Sequence, residues 1–271
     1  MKFEVYKTPF DFYPEVQSFL YKNEVTNSLM IGILKNANKE RDYSQDFYCL
    51  GHDKEIKIVM VISGLHIIIA TEDASSLKSA ADFVAKADLK YPGVIGPRPF
   101  VDQFVEALNQ VDSKSLSLMM SQRIYRLDKV DEINKPSGYM RFARMEDLDL
   151  LIDWTIEFAF EGTIDREVIR KNRKADIENK TMFIWDDNGA VSMTALRRSV
   201  GDGVTVSMVY TPDHERRKGY ATALVAEVSL YALKSHKYCS LYTDLSNPTS
   251  NSIYQKIGYR PIVDSALYTL E

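Results

Sequence analysis

Val209-Tyr210-Thr211-Pro212-Asp213-His214-Glu215-Arg216-Arg217-Lys218-Gly219-Tyr220-Ala221-Thr222 decides how the second half of this chain is read. The strand-like run Val204 to Tyr210 ends here, a short charged loop follows, and a helical pattern runs from Gly219 to Leu233. Its face carries Leu224, Val225, Val228 and Tyr231. The start of a helix presents unpaired N–H groups and a partial positive charge, and so attracts anions. Gly219 lets a ligand approach the backbone, Ala221 keeps the first turn bare, and Arg216, Arg217 and Lys218 add mobile cations. The residues point to a phosphate or pyrophosphate without choosing between them. A solvated basic turn closed by glycine is the competing reading of the same stretch.

Working outward, Tyr139 to Ala143 reads as a strand, Glu146 to Phe160 as an amphipathic helix and Arg166 to Asn179 as a more polar one. Thr181 to Trp185 and Ala190 to Leu196 form a hairpin around Asp186-Asp187-Asn188-Gly189. After the 219–233 helix come a strand, Cys239 to Thr243, a helix, Pro248 to Ile257, and an extended segment from Tyr259 to Leu270. The order β-α-α-β-β-β-α-β-α-β predicts a mixed α/β domain, with an antiparallel meander leading into a strand–helix–strand unit.

Two blocks in this order resemble a known family. Arg216-x-x-Gly219-x-Ala221 is similar to the pyrophosphate signature of the GCN5-related N-acetyltransferases, the GNAT superfamily. Asn247-Pro248, followed by Asn251, Tyr254, Lys256, Gly258 and Tyr259, is similar to the family's second block. The resemblance implies acetyl-CoA as co-substrate and an N-acetyltransferase that moves an acetyl group to an amine. Transfer would be by direct attack in a ternary complex. Val209, Tyr210 and Thr211 would pair with pantetheine, with the Val209 N–H as oxyanion donor. Arg216, Arg217, Lys218, Gly219, Tyr220, Ala221 and Thr222 would wrap the pyrophosphate. Asn247 and Asn251 would hold the cofactor arm, and Tyr254 would protonate the departing thiolate. The alternative is an acetyl-CoA-binding sensor or interaction module without catalysis.

The general base is less legible. Some family members carry a glutamate on the strand before the loop, where this chain has Thr205 and Ser207; Glu157, Glu161 or a water are the candidates left. A nucleotide-phosphate hydrolase would need a Lys-Ser/Thr after the glycine, and Lys218-Gly219-Tyr220 reverses that order. The four histidines, His52, His66, His214 and His236, show no ligand spacing, so no metal is expected. Cys49 and Cys239 sit in apolar runs and read as buried free thiols of a reducing, cytoplasmic compartment. Trp154 and Trp185 read as core or pocket-wall residues.

The first half has helical patterning near Tyr13 to Leu20 and Asn27 to Leu34. Strands follow at Phe47–Leu50, Glu55–Ile62 and Leu65–Ala70, then helices at Ser75–Ala87 and Pro99–Val111 and a strand at Met119–Leu127. Tyr91-Pro92-Gly93-Val94-Ile95-Gly96-Pro97 reads as a turn-rich loop. The order echoes the second half, but Thr71-Glu72-Asp73-Ala74-Ser75 puts carboxylates where the phosphate loop would be. Residues 1–130 are therefore expected to be a degenerate GNAT-like lobe, 131–138 a linker and 139–271 the acetyltransferase domain. The layout also resembles bacterial predicted acetyltransferases and, loosely, glycine N-acyltransferases.

A net charge of -4 argues against a nucleic-acid partner, and the most apolar stretch, Ile56 to Ala70, is broken by Lys57 and His66 and too short to span a bilayer. The expected partner is a small-molecule amine rather than a protein, with a homodimer left open. Acceptor and acyl length are not legible.

Overall fold

The computed structural model describes residues 1–64, 66–87, 89–112, 115–158 and 165–270. The first series of elements is β1 (Lys2–Tyr6), α1 (Pro9–Leu20), α2 (Glu24–Lys35), β2 (Phe47–His52), β3 (Ile56–Ile62), β4 (Ile67–Thr71), α3 (Leu77–Lys86), β5 (Gly93–Pro97), α4 (Phe100–Val111) and β6 (Leu116–Leu127). The second is β7 (Tyr139–Phe142), α5 (Leu148–Phe158), α6 (Arg166–Glu178), β8 (Met182–Asp186), β9 (Ala190–Val200), β10 (Gly203–Tyr210), α7 (Tyr220–Ala232), β11 (Tyr238–Asp244), α8 (Pro248–Ile257) and β12 (Arg260–Leu270). Both series spell β-α-α-β-β-β-α-β-α-β, so the repetition hinted at by the sequence is complete at the level of elements.

The compact units do not follow the two series. One gathers Met1–Ile124, Thr243–Ser246 and Pro261–Glu271; the other gathers Tyr125–Tyr242 and Asn247–Arg260. Within the first, β1 to β4 form an antiparallel meander, β5 joins β4 in parallel, and β12 pairs antiparallel with β5 from Ser265↔Pro97 to Thr269↔Gly93. The strand that closes the second series thus joins the sheet of the first unit, between β5 and β6. Within the second, β7 to β10 repeat the meander and β11 joins β10 in parallel.

That pairing corrects the reading of Tyr91 to Pro97 as a loop. Its glycines serve close approach, not turning: a Cβ on Gly93 would lie 2.2 Å from the Tyr268 carbonyl oxygen, and one on Gly96 2.5 Å from Ile69 Cγ1. Gly93→Ala should therefore push β12 off β5 and destabilise the protein by about 1–3 kcal/mol, read as a lower urea midpoint. An unchanged midpoint would contradict the close approach of Gly93 to Tyr268.

In the first unit, Phe47, Met60, Ile69 and Ala266 meet Leu77 and Val84 of α3 and Phe104 and Leu108 of α4, while Phe12, Val16 and Leu20 of α1 and Met30 and Ile31 of α2 are buried as well. In the second, the sheet is covered on both faces. Val204, Val206, Cys239 and Leu241 pack with Val225 and Ala226 of α7, while Ile184, Met193, Ala195 and Tyr210 pack with Leu151 and Trp154 of α5 and Ile177 of α6. Burial of this apolar surface is the main favourable contribution to folding. Among the described residues, no helix is long and apolar enough to cross a membrane.

Candidate active site

Strand β10 departs from regular geometry where the site begins. Its register with β9 passes from Ser207↔Ala195 to Tyr210↔Met193, so Met208 and Val209 together oppose Thr194. Met208 adopts φ +55°, in the left-handed region. This is a β-bulge, and it reverses the in–out alternation of the strand. Val204 and Val206 face α7, and so does Val209, whereas Met208 and Tyr210 pack on the α5–α6 side. The parallel pairing with β11 runs only from Gly203↔Tyr238 to Thr205↔Ser240. Beyond Thr205 the two strands part, and the bulged end of β10 leads directly into the charged loop.

The loop is held by its own charges. Arg216 donates from Nε to the Thr211 carbonyl at 2.9 Å and pairs through Nη1 with Asp213 at 2.8 Å; Lys218 pairs with Glu215 at 2.9 Å. Asp213 and Glu215 thus anchor cations. Among the described residues, Arg217 has no ion partner. It stands at φ +66° and Gly219 at φ +90°. The nearest atoms to a Cβ on Gly219 would be those of the Pro136 ring, at 3.8 Å or more, so the backbone conformation and not protein crowding calls for glycine.

Helix α7 starts at Tyr220 without a side-chain cap. Its first bond closes from the Ala223 N–H to the Gly219 carbonyl at 3.0 Å. Among the described residues, nothing accepts from the N–H groups of Gly219, Tyr220, Ala221 and Thr222. The Tyr220 side chain turns inward, packs with Phe183 and Trp185, and donates its hydroxyl to Asp187 at 2.6 Å. That contact fixes the helix start and leaves Tyr220 only its backbone to offer. The matching position of the first series is closed: Asp73 accepts from the Ser75 N–H at 2.9 Å and pairs with Lys57 at 3.2 Å.

On α8, Asn247 is the cap, accepting from the Ser250 N–H at 3.0 Å. Asn251 donates to the Asn247 carbonyl at 2.7 Å and accepts from the Tyr125 hydroxyl at 3.1 Å. Tyr254 is buried, its ring set between Tyr125 and Tyr259 with centroids 6.4 and 6.1 Å away. Burial raises its phenol well above the usual tyrosine range, so the group stays protonated.

Of the base candidates, Glu157 accepts a hydrogen bond from the Tyr210 hydroxyl. Burial, reinforced by that bond, pushes the Tyr210 phenol up to about 12. Trp154 packs on Tyr210 with centroids 6.0 Å apart. Glu161 lies outside the described residues. Both thiols, Cys49 and Cys239, are buried, and burial pushes each up to about 12, which makes them poor nucleophiles.

The fold therefore collects Val209, Tyr210 and Thr211 at the end of β10, Arg216 to Thr222 around the α7 start, and Asn247, Asn251 and Tyr254 on α8, all in one compact unit. Sequence reasoning missed the bulge at Met208, for which no residue-level signal exists. It also missed Tyr125, which is distant in sequence, and the arginine pair Arg197-Arg198 on β9. That pair carried a readable signal, two adjacent cations inside an otherwise apolar strand.

Comparison with known proteins bears on this arrangement. Residues 187–268 match the model of the family described as "FR47-like protein". No curated protein matches the chain by sequence. Among solved structures, a GCN5-related N-acetyltransferase from Sphaerobacter thermophilus superposes with a TM-score of 0.70 at 12% identity, covering 98% of this chain and 94% of that one. A GNAT-family acetyltransferase from Colwellia psychrerythraea gives 0.63 at 10% identity over 100% of both chains. A tandem GNAT protein from the clavulanic acid biosynthesis pathway gives 0.55 at 12% identity over 99% and 98%.

Proposed function

On a chain that has the fold of the GCN5-related N-acetyltransferases, we propose that the second unit binds acetyl-CoA and transfers its acetyl group to the amine of a small molecule. One observation carries this reading: β10 parts from β11 after Thr205, bulges at Met208, and leads through the charged loop into the uncapped start of α7. An extended thiol arm fits beside a strand with unpaired backbone, and a diphosphate fits four free N–H groups with Arg216, Arg217 and Lys218 beside them. The residues present thus suit such a co-substrate.

In the reaction, the neutral amine attacks the thioester carbonyl. The C–N bond forms, the C–S bond breaks, and the coenzyme leaves as a thiolate. The Val209 N–H stabilises the charge on the carbonyl oxygen, while the backbone of Tyr210 and Thr211 aligns the thiol arm. Tyr254 gives its proton to the thiolate and is reprotonated from solvent. The amine's surplus proton passes to water or to Glu157, which the Tyr210 hydroxyl holds in place. Asn247 and Asn251 fix the start of α8 and, through it, Tyr254. No covalent enzyme intermediate is needed, in keeping with the inert thiols.

A second reading, a coenzyme-binding module without turnover, draws support from β10 carrying Thr205 and Ser207 where a base would stand. A free-thiol assay with acetyl-CoA and a panel of amines separates the two. The enzyme reading predicts thiol release that depends on the amine. Binding of coenzyme A without release for any amine would leave the module.

A further inference from the structure

The face of the second unit opposite α7 carries buried arginine and serine donors that lack hydrogen-bond partners. Residues alternate along a strand. Since Val204, Val206, Cys239 and Leu241 face α7, their neighbours Thr205, Ser207, Ser240 and Tyr242 face the α5–α6 side. Thr205 and Ser240 meet there through their hydroxyls at 3.2 Å.

Strand β9 adds a bulge of its own. Its register moves from Val200↔Gly203 to Arg197↔Thr205, which leaves an extra residue, and Arg198 takes φ +42°. The bulge turns neighbouring arginines to one side. Arg197 reaches Asp176 on α6 with Nη2 at 2.6 Å from Oδ2, and the Arg198 guanidinium lies over the Tyr242 ring at 5.5 Å. Arg173, also on α6, pairs with the same Asp176 at 2.8 Å and touches Met208 Sδ, at the β10 bulge, at 2.7 Å.

Two guanidiniums, Arg173 and Arg197, thus share one carboxylate, Asp176, and Arg198 is the neighbour of Arg197 along β9. Among the described residues, no carboxylate pairs with Arg198. Its Nε is buried with no hydrogen-bond partner, and so are Arg173 Nε and the Ser207 hydroxyl. Buried donors without acceptors are costly and rare, and a buried cation without a counter-ion more so. Such groups persist where a ligand supplies what the protein lacks. Ser207 stands on β10 just before its bulge, two positions ahead of Val209; Arg173 touches the bulge at Met208, and Arg198 lies on the neighbouring strand, over the ring of Tyr242 on β11.

We propose that the acceptor amine carries a second, anionic group, and that Arg198 binds it, with the Ser207 hydroxyl as a further donor. The acceptor class is then amino acids or amine phosphates, and not polyamines or other polycationic amines. This rests on the acetyltransferase reading above. The anionic oxygen is common to carboxylate and phosphate, so the test carries both.

The test is thiol release from acetyl-CoA with amino acids, the matching amino acid amides, aminosugar phosphates and polyamines. It is run on the wild-type protein and on Arg198→Met, with coenzyme A binding followed by calorimetry. A charge-assisted bond to the anion predicts kcat/KM higher by about 10- to 100-fold for the anionic amine than for its neutral amide. The anionic member of the preferred pair identifies carboxylate or phosphate. Arg198→Met should collapse that ratio towards one, mainly through KM, while coenzyme A affinity stays as in the wild type. Ser207→Ala, a smaller change, should lower the ratio in the same direction. If amides or polyamines are the best acceptors, or Arg198→Met leaves the ratio intact, the anion site is wrong while the acetyltransferase reading stands. If coenzyme A does not bind, or no amine releases thiol, both fall.

Discussion

Replacing Gly219 by aspartate should lower coenzyme A affinity by at least about 100-fold. Two separate penalties combine. Gly219 holds φ +90°, a conformation a residue with a Cβ adopts at a cost of about 1–2 kcal/mol. The new carboxylate would also stand at the uncapped end of α7, where an anionic side chain would take the N–H groups of Tyr220 to Thr222 for itself. The first series displays such a contact: Asp73 caps the turn that leads into α3 and accepts from the Ser75 N–H. Gly219→Ala separates the two penalties, since it adds the strain and no charge, and should cost less. Calorimetry with coenzyme A reads both. Equal affinities for wild type and Gly219→Asp would mean that the diphosphate binds elsewhere.

Tyr254→Phe should lower kcat by about 100-fold or more while leaving coenzyme affinity near the wild-type value. The side chain is buried between Tyr125 and Tyr259, so phenylalanine keeps its packing and loses only the hydroxyl. Because burial raises this phenol above its ordinary value near 10, the acid remains protonated throughout the neutral range. The sign follows: Tyr254 contributes no alkaline loss of kcat below about pH 10. Any fall at low pH belongs to protonation of the amine or of its proton acceptor. An unchanged kcat in Tyr254→Phe would remove the acid from Tyr254 and give the departing thiolate its proton from water.

The charged loop before α7 was legible in the sequence because its residues are neighbours. A bare glycine, three cations and the start of an apolar helix are neighbours along the chain, and helix α8 could be read from Pro248 to Ile257 for the same reason. Features that depend on partners far away were not legible. Gly93 and Gly96 looked like turn residues, yet they are small because Tyr268 and Ile69 press against them. The pairing of β12 with β5 joins residues from distant parts of the chain, such as Ser265 with Pro97. The bulges at Met208 and Arg198 leave no mark in composition, since each consists of one residue too many against a partner strand. The Arg198 donor lacking a partner is a property of three dimensions, although the Arg197-Arg198 pair inside a strand was a clue to it. The hydrogen bond from the Tyr210 hydroxyl to the Glu157 carboxylate likewise appears only when α5 is laid on the sheet.

The most direct test of the central claim, that an uncapped α7 start beside a parted β10 holds the diphosphate of acetyl-CoA, is a calorimetric titration of the whole protein with coenzyme A. Saturation at one site per chain is predicted, since the second unit offers free N–H groups and the first is closed by Asp73. No binding heat, or two equivalent sites per chain, would contradict it.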